Sequence, residues 1–185
     1  MPTVINEICQ LFQRFGGKYY GENCTQLMHA ISTGENARSD NASQAIVVAS
    51  FLHDIDHFLA DESNVQGFTE FGHPNHSEIA ANWLDKHGFP DSVTQPIRYH
   101  VCAKRYLQRS HNKLSSASFA TLSQQGGSMT ESEAAAFESN DYFNDAIQLR
   151  KYDDLGKPTY ILTDDIDSWL KRVEAFYLVS GMKRK

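Results

Sequence analysis

The sequence predicts an all-α fold, and three observations predict it. Apolar residues recur with the 3.6-residue period of a buried helix stripe in almost every segment. Capping pairs, such as Thr130 with Glu133, stand ahead of several of those segments. No run alternates apolar and polar residues in the manner of a half-buried strand. With 185 residues, 41% hydrophobic and 22% charged, the chain is long enough to bury a core and ordinary in composition. No repeat or linker divides it, so one domain, 1–185, is expected.

In chain order, Val4 to Phe15 places Val4, Ile5, Ile8, Leu11, Phe12 and Phe15 on one stripe, ended by Gly16-Gly17. After a short loop a helix opens near Thr25 and runs through Leu27, Met28, Ala30 and Ile31. Ser43 caps the apolar helix that follows. Phe58 to His73, rich in polar residues and Gly, reads as a loop able to act as a lid. Asn75 with Glu78 forms a capping box for a helix ending near Gly88. Pro90 suits the first turn of the next helix, through Ile97, Tyr99, Val101 and Tyr106, with Pro96 able to kink or delay it. Ser115 or Ser116 caps a short helix ending at Gly126-Gly127. Thr130 starts another, Asn140 begins one that runs to Leu155, and the last spans Thr163-Asp164 to about Gly181.

The formal charge of −6 argues against a nucleic-acid partner. No apolar stretch is long enough to span a membrane and no basic leader precedes a hydrophobic run, so a cytoplasmic protein without a membrane partner is expected. Cys9, Cys24 and Cys102 show no CxxC spacing and indicate neither a disulfide framework nor a zinc knuckle.

The chemistry concentrates around FLHDIDH, Phe51 to His57. If that segment is helical, His53 and His57 lie at i and i+4 on one face with Asp54 beside His53. The residues before it, Ala45 to Ser50, are apolar enough to be buried. A polar pair that closes a core helix is costly unless compensated, and a metal ion is the usual compensation. His29, His76 and His100 fall on three other predicted helices, and Asp153 follows an apolar run in LRKYDDLGK. Singly, each reads as a structural or surface residue. Together they are the donor set of an imidazole–carboxylate metal centre. His29, His53, Asp54 and Asp153 would supply one metal; His76 and His100 would supply a second, with Asp54 bridging. Absence of thiolate suits iron or manganese, and zinc is admissible. His73, three before His76, competes for the same role.

Other polar residues share helix faces with these ligands: Gln26 with His29, Lys104 with His100, Arg150 with Asp153; Ser118 and Thr121 are spaced alike. Cations beside a metal centre either neutralise its carboxylates or face an anionic substrate group such as a phosphate or phosphonate.

On these residues the chain resembles the HD-domain superfamily, whose signature is matched by His29, His53-Asp54 and Asp153. It is most similar to that superfamily's mixed-valent di-iron oxygenases, the PhnZ-type enzymes in particular. The likeness extends from about Gly16 to Lys157 and includes Tyr19-Tyr20-Gly21-Glu22, His76 with Trp83-Leu84, His100 with Lys104-Arg105-Tyr106, and Gln125-Gly126-Gly127. The resemblance implies an HD-type helical bundle and two iron ions, Fe(II) and Fe(III), with O2 as co-substrate. It implies oxidative cleavage of the C–P bond of a 1-hydroxyphosphonate, either 2-amino-1-hydroxyethylphosphonate to glycine and phosphate or its 2-trimethylammonio analogue to glycine betaine and phosphate. It also implies metal ligation by His29, His53, Asp54, His76, His100 and Asp153. Substrate contacts would come from Gln26, His57, Lys104, Ser118, Thr121 and Arg150, with Tyr19 and Glu22 as an induced-fit gate. The rival expectations are an HD-type phosphohydrolase, which leaves His76 and His100 without a role, and a non-catalytic metal-stabilised helical module.

Overall fold

The computed structural model describes residues 2–19, 23–63, 76–110, 116–158 and 166–182. Among these the chain forms ten α-helices and one short 3-10 turn, with no strand. They are α1 (Thr3–Phe15), α2 (Gln26–Ser39), α3 (Gln44–Leu52), α4 (Ile55–Ser63), α5 (His76–Lys86), α6 (Asp91–Leu107), α7 (Ser116–Leu122), α8 (Glu131–Glu138), α9 (Phe143–Leu155) and α10 (Ile166–Met182). None of the described helices is long and apolar enough to cross a membrane.

Helix α3 is the centre of the fold. Every residue from Ile46 to Leu52 is buried, and a helix apolar all round is stable only inside other helices. It packs against α2, α6, α9 and α10. That burial outweighs the modest helix propensity of its Ile and Val. Ser43 caps it, accepting from the Ile46 N–H at 3.2 Å. Near its C-terminal end Phe51 is stacked between Phe12 of α1, 4.8 Å between centroids, and Trp169 of α10, 5.0 Å. The aromatic column fixes the end of α3 just before His53. It also explains Gly34 on α2, where a Cβ would overlap the Trp169 ring.

Thr25 caps α2, and Thr130 and Glu133 form the expected capping box on α8. Pro96 lies inside an unbroken α6, so the helix tolerates the lost hydrogen bond one turn from its start. Helix α9 starts at Phe143 rather than Asn140, whose side chain instead accepts from the Tyr142 N–H at 2.8 Å. The loop expected from Phe58 is a helix as far as Ser63. Phe58 is buried edge-on against Phe12, and tertiary packing overrides the polar composition. The rest of that stretch, with His73 and Asn75, lies outside the described residues. A second, smaller core joins Ala103 of α6, Met129, Phe137 of α8 and Ala146 of α9, and this pins α6 against α9.

Candidate metal centre

The chain breaks helix between α3 and α4. His53 and Asp54 form a turn in which the Asp54 carbonyl accepts from the His57 N–H at 3.2 Å. His53 and His57 therefore do not share the face of one helix, and the i, i+4 spacing predicts the wrong partners for them. The break sends His53 toward α2 and α9, while His57 goes with Asp54 and Asp56.

His29, from α2, faces that turn. Its Nε2 lies 3.3 Å from His53 Nε2, 3.3 Å from Asp153 Oδ1 and 3.5 Å from Asp54 Oδ2. His53 Nε2 is 3.3 Å from Asp54 Oδ2 and 3.8 Å from Asp153 Oδ1. Each ring is oriented from behind by a backbone carbonyl. His29 Nδ1 donates to Gly156 O at 2.7 Å and His53 Nδ1 to Ser50 O at 2.9 Å. With Nδ1 as the donor, the neutral imidazole carries its lone pair on Nε2. Two such lone pairs and an Asp153 oxygen lie within 4.8 Å of one another, with the Asp54 carboxylate against both imidazoles, and acceptors packed this closely repel unless a cation sits among them. Donors roughly 2.1 Å from a metal ion are themselves about 3.0–3.5 Å apart, and the separations here run from 3.3 to 3.8 Å. The donor set fits a metal ion.

Electrostatics support the same reading. Burial would lower His29, yet hydrogen bonds and charge from Asp153 and Asp54 raise it to about 9. His53 is raised in the same way against its own burial, chiefly by Asp54 and Asp153. Both carboxylates are held well below the usual range despite burial: Asp54 chiefly by His53, Asp153 chiefly by Arg150. A proton on the imidazoles and a metal ion satisfy the same electrostatic demand, so they compete for the site.

His100 lies beside this cluster on α6, 1% exposed, its ring edge-on to His53 at 5.5 Å between centroids. Its Nδ1 donates to Ile97 O at 2.7 Å, and burial with the nearby His53 lowers it to about 4. It is thus a neutral imidazole with Nε2 as its lone-pair nitrogen, as a metal ligand must be. His76 is the first residue of α5, and its side chain lies outside the described residues.

One turn beyond His100, Lys104 is 3% exposed. Its ammonium donates to Thr121 Oγ1 at 2.6 Å and Gln125 Oε1 at 2.7 Å. Both acceptors are neutral, and among the described residues no carboxylate pairs with Lys104. Burial first, then the neighbouring Arg150, lowers its pKa to about 7. Arg150 has the other arrangement. It donates to Asp153 Oδ2 at 2.6 Å and also binds Asp154, so it neutralises and orients a metal-ligand candidate. The α7 turn is placed over Lys104 by Arg105, whose Nε donates to Gly127 O at 2.9 Å. Gly126 and Gly127 take φ of +99° and +69°, a left-handed path that disfavours side chains.

The remaining candidates are spread more widely. Gln26 and His57 are buried, and Tyr19 is 63% exposed at the surface. Glu22 and the Ser118 side chain lie outside the described residues. Gln125, which the sequence reading places only within the Gln125-Gly126-Gly127 motif, and Asp56, to which it gives no role, stand in the neighbourhood. Gln125 holds Lys104, and its spacing of four from Thr121 is a signal that finds it. Asp56 is fully buried beside Asp54 and His57, and burial, with the Asp54 charge adding, raises it to about 7. Its signal is a second Asp inside FLHDIDH.

No family model matches the chain. Among curated proteins it is 35% identical over 175 residues to a hydroxymethylphosphonate dioxygenase of Gimesia maris, covering 92% of this chain and 87% of the relative. It is 34% identical over 168 residues to the glycine-betaine-forming [1-hydroxy-2-(trimethylamino)ethyl]phosphonate dioxygenase of Leisingera caerulea, covering 88% and 85%. An uncharacterised protein of Acanthamoeba polyphaga mimivirus is 37% identical over 158 residues, covering 83% and 72%.

Proposed function

The chain belongs to the PhnZ-type phosphonate dioxygenases of the HD-domain superfamily, and from that premise we propose that it cleaves the C–P bond of a 1-hydroxyphosphonate with O2 at a di-iron centre. The observation that carries the substrate class is Lys104, a buried cation whose described partners are all neutral, one helical turn from His100. A buried cation of this kind is stabilised by an anion.

The reaction balances without a further reductant. A 1-hydroxyphosphonate and O2 give a carboxylate, phosphate and a proton; carbon and phosphorus are oxidised together, and O2 takes all the electrons. The iron pair, when bound, supplies the activation of O2 and the Lewis acidity that orients the substrate hydroxyl. His29, His53, Asp54 and Asp153 would hold one iron. His76 and His100 would hold the other, with Asp54 shared.

This chain's residues do the rest. Lys104 anchors a phosphonate oxygen, and the Thr121 and Ser118 hydroxyls take others, which fixes the carbon that must react. Gln26 and His57 complete the substrate contacts. Arg150 acts largely through Asp153, whose carboxylate it holds in place. Tyr19 and Glu22 form the gate that closes as substrate arrives, and closure excludes water from a reactive site. The natural partner is a small organophosphonate. The candidates are hydroxymethylphosphonate, 2-amino-1-hydroxyethylphosphonate and its 2-trimethylammonio analogue.

Turnover of these three compounds by iron-loaded protein, followed as O2 uptake, tests the reading. Uptake with at least one of them is expected. Hydrolysis of a nucleotide or phosphate ester, with no uptake from any of the three, would replace it with the phosphohydrolase.

A further inference from the structure

Gly156 stands where two of the ligand candidates are joined, although it offers no side chain of its own. It caps α9, its N–H donating to Asp153 O at 2.9 Å, while its carbonyl accepts from His29 Nδ1 at 2.7 Å. One residue thus holds the end of the helix that carries Asp153 and the back of the imidazole that faces it. Its backbone lies at negative φ, −76°, so conformation does not demand a glycine at this position.

The demand comes from space. Thr33, one turn after His29 on α2, is 0% exposed and lies directly against Gly156. A Cβ on Gly156 would overlap Thr33 Oγ1. Turning that hydroxyl aside would still leave Thr33 Cβ at 3.1 Å and its backbone Cα at 3.2 Å, both tighter than ordinary contact. Nor can α9 simply draw back. Asn36 Nδ2 donates to Tyr152 O at 3.3 Å and the Tyr152 hydroxyl donates to Asp40 Oδ2 at 2.5 Å, which ties α9 to the far end of α2. Thr33 Oγ1 has no hydrogen-bond partner among the described residues, so its contact with Gly156 is one of shape.

We propose that Gly156 is a positioning residue of the metal centre: its missing Cβ lets the end of α9 close on Thr33, and its carbonyl then sets the His29 ring for the ion. A carbonyl behind a ligating imidazole fixes both its tautomer and its direction. Metal donors must be held within about 0.5 Å of their working positions, and relieving an overlap with Thr33 takes a shift of that order or more. The peptide that moves carries the His29 contact with it and pulls on Asp153 three residues back. The proposal takes its ligand set from the dioxygenase reading, but its geometry rests on the α2–α9 contact alone.

The test uses the full chain stripped with a chelator and titrated anaerobically with Mn(II), bound ion being read from the loss of the free-ion EPR signal, with the metal-free melting midpoint recorded alongside. The parent is expected to bind Mn(II), and Gly156→Ala should hold an ion at least about tenfold more weakly. Thr33→Ala alone should stay within about threefold of the parent, and combined with Gly156→Ala it should restore most of the lost affinity. Thr33→Val, which puts a methyl where the hydroxyl stood, should restore none. Parental affinity in Gly156→Ala overturns the proposal even if its melting midpoint falls, because the role would then be structural only. So does a loss that Thr33→Ala fails to relieve. If Gly156→Ala does not fold, Thr33→Ile enlarges the same contact from the α2 side: a similar loss of affinity supports the proposal, and parental affinity overturns it. A parent that binds no Mn(II) removes the metal centre and the proposal with it. The expected pattern in a protein inactive on every 1-hydroxyphosphonate would sink the dioxygenase reading alone. Phosphonate turnover with metal affinity untouched by the substitutions would sink the present proposal alone.

Discussion

Lys104 should impose a falling limb on the pH profile of phosphonate turnover. Burial and the Arg150 charge lower its pKa to about 7, and only the charged form offers the substrate anion a cation. The sign follows directly: a lysine with a depressed pKa is cationic below that value and neutral above it. At pH 6 about nine-tenths of the side chain is charged, and at pH 9 about one-hundredth is, so kcat/KM should fall by nearly 100-fold between them. A metal ion nearby adds positive charge and moves the limb to lower pH. Initial rates of O2 uptake at subsaturating 1-hydroxyphosphonate, on iron-loaded protein, measure this. Lys104→Arg is the paired perturbation, because a guanidinium stays charged across the whole range. Ionisation of the substrate is common to both proteins, so the difference between their profiles isolates residue 104. A parent profile that varies by less than about threefold from pH 6 to 9, or a Lys104→Arg profile with the parental limb, would refute the argument.

Three further outcomes are expected. Arg150→Lys loses the two-pronged hold on Asp153 and Asp154, and metal affinity measured against a competing chelator should fall by about 10- to 100-fold; unchanged affinity would mean Asp153 needs no such support. Gln125→Ala removes one of the two acceptors of Lys104, and a loss of about 1 kcal/mol should appear mostly as a several-fold higher KM for the phosphonate, with kcat nearly kept. Gly34→Ala drives a Cβ into the Trp169 ring, and overpacking of about 1–3 kcal/mol should outweigh the roughly 1 kcal/mol gain in helix propensity. Thermal melting should then show a midpoint a few degrees lower, and an unchanged or higher midpoint would mean the α2–α10 contact yields easily.

Much of this architecture is legible in the sequence because its signals are local. Thr25, Ser43 and the Thr130–Glu133 pair announce helix starts by side-chain hydrogen bonds to nearby backbone, and all three operate. The stripe from Val4 to Phe12 is buried as its period requires. The members of the metal cluster are legible as residue types, since each polar group sits against apolar neighbours that must be buried. What local signals do not carry is the break at His53-Asp54. No Gly or Pro marks it, and a helix-to-helix turn held by Asp54 and His57 decides which histidines face each other. Phe58 shows the same limit, because its aromatic neighbours on α1 lie far away in sequence. The difference between Lys104 and Arg150 is also invisible at the level of spacing. One faces neutral acceptors and the other carboxylates, and only the packing of α6, α7 and α9 separates them.

The account turns on coupling between dioxygen and C–P cleavage. The most direct measurement is simultaneous O2 uptake and phosphate release by iron-loaded protein supplied with a 1-hydroxyphosphonate it turns over, run in parallel with an anaerobic sample. The account predicts one phosphate for each O2 consumed and no phosphate without O2. Phosphate release that continues unchanged under strict anaerobiosis would contradict it.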